Sequence, residues 1–287
     1  MPSDKLIFCM GEGIGNVIQT MPAIRTIKEV LGYGVDFWHA FGYYSMPKLI
    51  PHVDKWFVGN KITALKPDEY VGKVSTWSTK DRINIGPLSK LILYASISDI
   101  SMNRSEVDVY MDIARVLGAD DDDLLWHSGC LYKQVEEEYD VVMHDGYNRR
   151  GAAFWKHKSY PHYEEVVKQL GNLKICSIGG KEEYIKGTDD KTGLPLYDTL
   201  GIITNSKLFI GNDSGMYHCA NALGVNNIVI FTYTSQIKNY DKRFHKFAKI
   251  LCREDLDSLS CQNTPRRKTC KTKECRDIDP KVVVNKI

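Results

Sequence analysis

The sequence predicts an α/β protein of two doubly wound domains that face a central cleft. Three observations support this prediction. The chain has 287 residues, which exceeds the usual size of one domain. Apolar segments of strand length alternate with segments of helical periodicity. This alternation occurs in both halves, so each half predicts its own parallel sheet. We therefore expect one domain at residues 1–133 and a second at residues 134–287.

The first domain opens with a strand, a glycine-rich loop and a helix. The strand is the apolar run KLIFCM, Lys5 to Met10, and the helix is predicted from apolar residues at helical spacing between Val17 and Leu31. Pro22 lies inside this helix. Because proline removes a backbone hydrogen bond, we expect a kink or a break there. Further strands are expected at residues 35–40 and 53–59.

The first domain closes with an amphipathic helix in the segment SEVDVYMDIARVLG. Ser105 can cap its start and Gly118 can end it. Residues 61–101, which precede this helix, show little periodicity and receive no assignment.

The second domain repeats the alternation. We expect strands at 139–144 and 173–180, in KLFIGN and in NNIVIFTYTS. We expect helices at about 161–170, in LYDTLGIITNS and in the segment closed by Gly224. The polar segments GEGIGN, HDGYN, SIGGKEE, GNDSG and FTYTS all follow predicted strands. Ligand sites of such folds lie at the carboxyl ends of the strands.

Composition and charge indicate an ordinary globular protein. The net charge is +2, with 43% hydrophobic and 26% charged residues. No apolar run approaches the roughly 20 residues that a membrane span needs. The apolar run near the start is too short for a signal peptide, so we expect none. We therefore expect a cytoplasmic location, with peripheral attachment to the inner membrane face as an alternative, and thiols rather than disulfides among the eight cysteines. The oligomeric state is left open.

Two segments are candidates for phosphate binding. Gly11, Gly13 and Gly15 lie between a strand and a helix, where they permit either a turn with positive φ or the close approach of a ligand. In FIGNDSGMYHCANALG, Asp213 or Ser214 can cap a helix whose first N–H groups suit a phosphate. The alternative for this second segment is a simple capping turn with a packed histidine.

Several motifs together resemble glycosyltransferase family 9, the heptosyltransferase group. GIGNVIQTMPAIRTIKE resembles the opening of that family, and KSYPHYEEVVKQL resembles its K-x-[WY]-P segment. LFIGNDSGMYHCANALGVNNIVIFTYTS matches its D-S-G-x-x-H-x-A-x-A-L-G and F-x-x-T-S patterns. The resemblance implies two Rossmann-like domains of the GT-B type. It also implies sugar transfer from a nucleoside diphosphate sugar to a hydroxyl of a saccharide or lipid-linked saccharide, without a metal or another cofactor.

The resemblance also implies roles for individual residues. Lys158 would neutralise charge that develops on the diphosphate. The donor would be held by Gly179, Gly180, Asp213, Ser214, Gly215, His218, Thr234 and Ser235. Gly13, Gly15 and Asn16 would face the acceptor hydroxyl.

Asn16 departs from the family pattern, which has an aspartate as general base at this position. An amide does not take up a proton, and transfer to a hydroxyl normally needs a base. Three interpretations remain open: Glu12 is the base, a donor phosphate takes the proton while Asn16 orients the acceptor, or the chain binds nucleotide sugars without catalysis. We favour an active enzyme with Glu12 as the base.

Two further alternatives rest on the C-terminal segment. Its basic run PRRKTCKTK permits a hydroxymethylated base in DNA as the acceptor. Its cysteines lack the C-x-x-C spacing typical of zinc sites, so we expect no zinc at Cys252, Cys261, Cys270 and Cys275.

Overall fold

A computed structural model describes residues 4–40, 50–59, 69–75, 92–94, 104–130, 139–147, 153–253, 255–256, 261, 269–270 and 273–287. The chain forms two compact units, Met1–Leu131 with Tyr240–Phe244, and Tyr132–Asn239 with His245–Ile287. The expected domain boundary after residue 133 falls on residues 131–138, outside the described residues, and stays a prediction.

The first unit is built on a parallel sheet. Its strands within the described residues are β1 (Lys5–Met10), β2 (Gly34–His39), β3 (Lys55–Val58), β4 (Gly72–Ser75) and β5 (Ile92–Tyr94). Their order is β3-β2-β1-β4-β5, and every pairing is parallel. Helices α1 (Ile14–Glu29) and α2 (Glu106–Val116) pack on each other beside this sheet. The order reverses direction between β1 and β4, which places the loop after β1 at a topological switch point.

The second unit repeats this plan. Its described strands are β6 (Tyr139–His144), β7 (Ile175–Ser177), β8 (Asp189–Asp190), β9 (Ser206–Asn212), β10 (Asn227–Ile230) and β11 (Ala248–Leu251). Their order is β11-β10-β9-β6-β7-β8, again all parallel. The helices are α3 (Tyr163–Gln169), α4 (Leu196–Thr204), α5 (Gly215–Ala222), α6 (Gln236–Asn239) and α7 (Pro280–Val284). The switch point of this sheet lies between β6 and β9.

A buried apolar core fixes the strand ends of the second unit. Val141 and Met143 of β6 pack with Ile210 of β9 and Ile228 of β10, and helix α3 covers them through Val166. Because successive side chains of a strand point to opposite faces, this register also fixes where the polar residues after each strand emerge.

A short segment of the second half belongs to the first unit. Within Tyr240–Phe244, Asp241 accepts a hydrogen bond of 2.6 Å from the Ser105 hydroxyl at the start of α2. Arg243 pairs with Asp108 at 3.0 Å, and its guanidinium lies 3.7 Å from the centre of the Trp126 ring. Charge pairing and a cation–π contact therefore hold this segment on α2.

The predicted fold class is confirmed as two parallel α/β domains. Pro22 does not break its helix, since α1 runs from Ile14 to Glu29 as one element. The alternative expectation of a kink at Pro22 stays a prediction. Ser105 caps α2 as predicted, since its hydroxyl accepts from the Asp108 N–H at 3.1 Å. Gly118 ends that helix with a φ of +107°. Strands β4, β5, β8 and β11 have no assignment from the sequence.

Candidate active site

The site of the second unit is centred on the start of α5. Strand β9 ends at Asn212, and Gly215 begins the helix two residues after Asp213. Ser214 is the N-cap residue in extended conformation, but its hydroxyl makes no capping hydrogen bond. The expectation that Asp213 or Ser214 caps the helix is therefore wrong, because both side chains have other partners. The first-turn N–H groups receive no bond from the N-cap side chain, and together with the helix dipole they favour an anion.

Asp213 is a buried carboxylate with cationic and polar neighbours. The Lys158 ammonium lies 3.2 Å from its Oδ2, and the His218 Nε2 lies 3.7 Å from its Oδ1. Burial alone would raise the pKa of Asp213, but Lys158, His218 and the Thr234 hydroxyl together hold it well below its usual range. Asp213 is thus ionised in the folded protein and fixes the lysine next to α5.

His218 lies behind Asp213 and is 3% exposed. Its Nδ1 is 3.0 Å from Nε2 of His245, which is also buried. Tyr217 stacks on the His245 ring with centroids 5.0 Å apart. Both nitrogens of His218 therefore face protein groups, an arrangement that suits positioning of Asp213. Its predicted contact with the donor stays a prediction.

Lys158 ends a short helical turn, Ala153–Lys158. The Thr232 hydroxyl donates to the carbonyl of His157 at 2.7 Å and to that of Lys158 at 3.1 Å. The ammonium lies 5.3 Å from the centre of the Trp155 ring. The segment after β10 thereby holds the backbone from which Lys158 extends.

His144 and Glu183 support Ser214, and our sequence analysis did not single out either residue. The His144 Nδ1 lies 3.1 Å from the Ser214 hydroxyl, and its Nε2 lies 3.3 Å from the Glu183 carboxylate. All three follow or end strands of the second sheet, as the segments HDGYN, SIGGKEE and GNDSG indicated. The chain of contacts orients the Ser214 hydroxyl at the start of α5.

The predicted donor residues Gly179 and Gly180 lie against Glu183. The Gly180 N–H donates to the Glu183 carboxylate at 2.8 Å. Gly179 has a φ of +119°, and a β-carbon there would overlap with the Glu183 carboxylate. The backbone conformation together with this contact favours glycine at 179, and the predicted contact of both residues with the donor stays a prediction.

Thr234 and Ser235 are buried after β10. Ser235 accepts from the Lys238 N–H at 3.3 Å and so caps α6, whereas Thr234 lies beside Asp213. Their predicted place at the floor of the donor site is consistent with this position but is not tested by it.

Asn212 and Asp145 form a further polar cluster that the sequence analysis missed. The Asn212 amide donates to Asp145 at 3.0 Å, and its carbonyl accepts from the Tyr163 hydroxyl at 2.8 Å. Ser159, next to Lys158, donates to the other carboxylate oxygen of Asp145 at 3.0 Å. These bonds join the ends of β6 and β9 to the turn that carries Lys158.

The glycine-rich loop of the first unit does not adopt the turn with positive φ. Gly11, Gly13 and Gly15 are absent from the glycines with positive φ in the described chain. The space around Gly13 would accept a β-carbon, whose nearest neighbour is Asn16 Oδ1 at 3.7 Å. The fold therefore does not require glycine at 13, and the close approach of a ligand remains the interpretation of this loop.

Glu12 and Asn16 lie on this loop and in the first turn of α1. The Glu12 carboxylate accepts from the Gly11 N–H at 2.9 Å, and the Glu12 carbonyl is 2.9 Å from the His39 Nε2. The Asn16 amide donates to the Glu106 carboxylate, which also accepts from the Tyr110 hydroxyl at 3.0 Å. The sequence does not indicate this role of Glu106, because Glu106 lies 90 residues from Asn16 and no local pattern marks such a contact.

No group of three or more histidine, cysteine or acidic side chains in the described part of the chain is arranged to hold a metal ion. All eight cysteines lie among the described residues, and none of them forms a disulfide. Burial raises the pKa of Cys275 to about 11, with added repulsion from Cys261 and Cys270. The absence of zinc stays a prediction.

Comparison with known proteins supports the family resemblance. Residues 149–270 match the family model of glycosyltransferase family 9 (heptosyltransferase). No curated protein sequence matches the chain. No described helix has the length and apolar character needed to cross a membrane.

Solved structures share the fold at low sequence identity. A glycosyl transferase family 9 structure from Veillonella parvula DSM 2008 has a TM-score of 0.69 and 15% identity, over 99% of this chain and 96% of that one. E. coli ADP-heptose lps heptosyltransferase II has a TM-score of 0.68 and 14% identity, over 98% and 96%. E. coli heptosyltransferase WaaC with ADP has a TM-score of 0.57 and 13% identity, over 86% and 92%.

The solved structures confirm the predicted GT-B fold, and the match to the family model is to residues 149–270. The alternative with a DNA acceptor receives no support from these comparisons.

Proposed function

We propose that this chain is a glycosyltransferase of family 9, and that it transfers a sugar from a nucleoside diphosphate sugar, held on the second unit, to a hydroxyl of a saccharide or lipid-linked saccharide. The observation that carries the proposal is the start of α5, where Ser214 makes no capping bond and the Lys158–Asp213 pair lies alongside. Amides at a helix start and a fixed lysine are a combination that suits a diphosphate.

The donor diphosphate is held by charge and hydrogen bonds. The first-turn N–H groups of α5 donate to phosphate oxygens, and the Ser214 hydroxyl, held by His144, lies at the same helix start. Lys158 neutralises charge that grows as the bond between the sugar and the phosphate breaks. In this proposal Asp213 acts by holding Lys158 in place, and its predicted contact with the donor stays a prediction. With these groups in place, we propose that transfer needs no metal ion.

The acceptor is activated on the first unit. We propose Glu12 as the general base, because its carboxylate is partly exposed on the loop after β1. The acceptor oxygen bonds to the anomeric carbon of the donor sugar, its proton passes to Glu12, and the nucleoside diphosphate leaves with the electron pair of the broken bond. The alternative in which a donor phosphate takes the proton predicts activity without Glu12.

The similar structures indicate which donor and acceptor to test first. They include an ADP-heptose lps heptosyltransferase and a heptosyltransferase with ADP. We therefore propose an adenosine diphosphate sugar as the donor and the core saccharide of a lipopolysaccharide-type glycolipid as the acceptor.

A thermal-shift panel of nucleoside diphosphates and their sugars, followed by a transfer assay, tests this function. A ligand that binds only the folded protein raises its melting temperature. We expect one nucleoside diphosphate to raise it, and its sugar to be transferred with release of that diphosphate. If no member of the panel binds, the proposal is wrong. Binding without transfer to any saccharide or glycolipid acceptor would instead identify a non-catalytic nucleotide-sugar binder.

A further inference from the structure

We propose that Glu106 is a positioning residue for sugar transfer, which fixes the side-chain amide of Asn16 so that its carbonyl oxygen receives an acceptor hydroxyl. The family has a carboxylate at position 16. In this chain Glu106, on α2, brings a carboxylate next to that position instead. The inference rests on the proposed function and explains why an active enzyme carries asparagine there.

The geometry gives the Asn16 amide one orientation. Glu106 is 1% exposed and begins α2. Its Oε1 accepts from both the Asn16 amide and the Tyr110 hydroxyl, the latter at 3.0 Å. An ionised carboxylate only accepts hydrogen bonds, so the NH2 group of Asn16 has to face it. The carbonyl oxygen of Asn16 is thereby directed to the Gly13 side of the loop.

Hydrogen-bond donors and a helix start surround the Glu106 side chain. Two donors converge on one oxygen, and the N-terminal end of α2 adds the positive end of a helix dipole. Burial and the nearby charges of Glu106 and Glu12 raise the pKa of Tyr110, so its hydroxyl stays a donor. Among the described residues, His39 also contacts this loop, through the carbonyl of Glu12.

Aspartate at 16 is incompatible with glutamate at 106. Two carboxylates at hydrogen-bond distance in a buried place repel each other, and one of them has to take up a proton. Asparagine at 16 removes this repulsion and supplies the donor that Glu106 needs. The two residues therefore depend on each other, although 90 positions separate them in the chain.

Asn16 and Glu106 together orient the acceptor, whereas Glu12 takes up the proton. Asn16 Oδ1 accepts a hydrogen bond from a hydroxyl that neighbours the reacting one, which holds the acceptor sugar in orientation. The reacting hydroxyl then remains free to pass its proton to Glu12. A misplaced acceptor lowers the rate without changing how the donor binds.

Three variants test the pair: Glu106→Gln, Asn16→Asp, and the double variant Asn16→Asp/Glu106→Gln. In Glu106→Gln the partner amide can donate as well as accept, so the Asn16 amide can turn over. We expect kcat/KM for the acceptor to fall roughly ten- to hundredfold, with unchanged affinity for the nucleoside diphosphate.

Asn16→Asp should lower the melting temperature at neutral pH by about 5 °C. The double variant should recover that loss, because the amide introduced at position 106 donates to the carboxylate introduced at position 16.

The outcomes separate this inference from the proposed function. If Glu106→Gln transfers sugar with the wild-type kcat and acceptor KM, the positioning role is wrong while the function stands. If the double variant melts no higher than Asn16→Asp, the mutual dependence is wrong. A wild-type chain that binds a nucleoside diphosphate but transfers nothing overturns the proposed function and the positioning role together. In that case the melting temperatures of the variants still test whether Glu106 requires asparagine at position 16.

Discussion

Lys158 and Asp213 have separate roles in one ion pair, with Nζ and Oδ2 3.2 Å apart. We predict that Lys158→Met weakens binding of the nucleoside diphosphate roughly ten- to hundredfold, because a charge-assisted hydrogen bond to phosphate is lost. The same change leaves Asp213 buried without its ammonium partner, so the free energy of unfolding should fall by about 3 kcal/mol. Calorimetric titration measures the first effect and urea unfolding the second.

A double variant separates binding from stability. In Lys158→Met/Asp213→Asn no buried charge is left unpaired, so most of the stability should return while the weak binding persists. Recovery of both properties would show that Lys158 serves only the fold.

Glu12 carries the proposed proton transfer. We predict that Glu12→Gln lowers kcat by a factor of about 100 to 10,000, since general base catalysis contributes on that order. Binding of the nucleoside diphosphate should not change, because Glu12 belongs to the first unit. Steady-state kinetics with saturating donor give the answer. Full activity would assign the proton to a donor phosphate.

At the scale of elements, the loop after β7 depends on Gly179. Its φ of +119° and its close approach to Glu183 exclude a side chain. We predict that Gly179→Ala lowers the free energy of unfolding by about 2–3 kcal/mol. Gly171→Ala is the matched control, since Gly171 has a φ of +61° and no atoms near its missing β-carbon. The control should lose only about 1 kcal/mol. Equal losses in urea unfolding would mean that contact with Glu183 does not matter.

Elements with a strong local pattern were predictable from the sequence, and short ones were not. The apolar runs of β1 and β6 and the capped, amphipathic α2 each carry a signal within one segment. Strand β8 has two residues and α6 has four, so neither shows a period. Helix α1 continues through Pro22 because buried apolar residues on both sides of the proline hold one continuous helix against the sheet.

The candidate site was predictable where its residues adjoin strand ends, and not where partners come from distant segments. Asp213, Ser214 and Lys158 lie in motifs that the sequence displays. His245 and Glu106 act through contacts with His218 and Asn16 that only the folded chain creates. The sequence showed that Asn16 lacks the charge of the family aspartate, but only the structure showed which carboxylate lies beside it.

For the whole molecule, Asp213 links folding to pH. Its folded pKa lies below the unfolded value of about 3.9, so the ionised group contributes stability that is fully present above that value. This contribution is lost as the pH falls towards the lower, folded pKa. We predict that the difference in free energy of unfolding between the wild type and Asp213→Asn shrinks below about pH 4. Urea unfolding of both proteins at matched pH values measures it, and a difference that grows on acidification would contradict the assignment.

The central claim concerns where the diphosphate binds, and a crystal structure with a bound nucleoside diphosphate tests it most directly. The account predicts phosphate oxygens within about 3 Å of the first N–H groups of α5 and of the Lys158 ammonium, the normal hydrogen-bond distance. A diphosphate held elsewhere, with those amides and Lys158 in their present contacts, would contradict it.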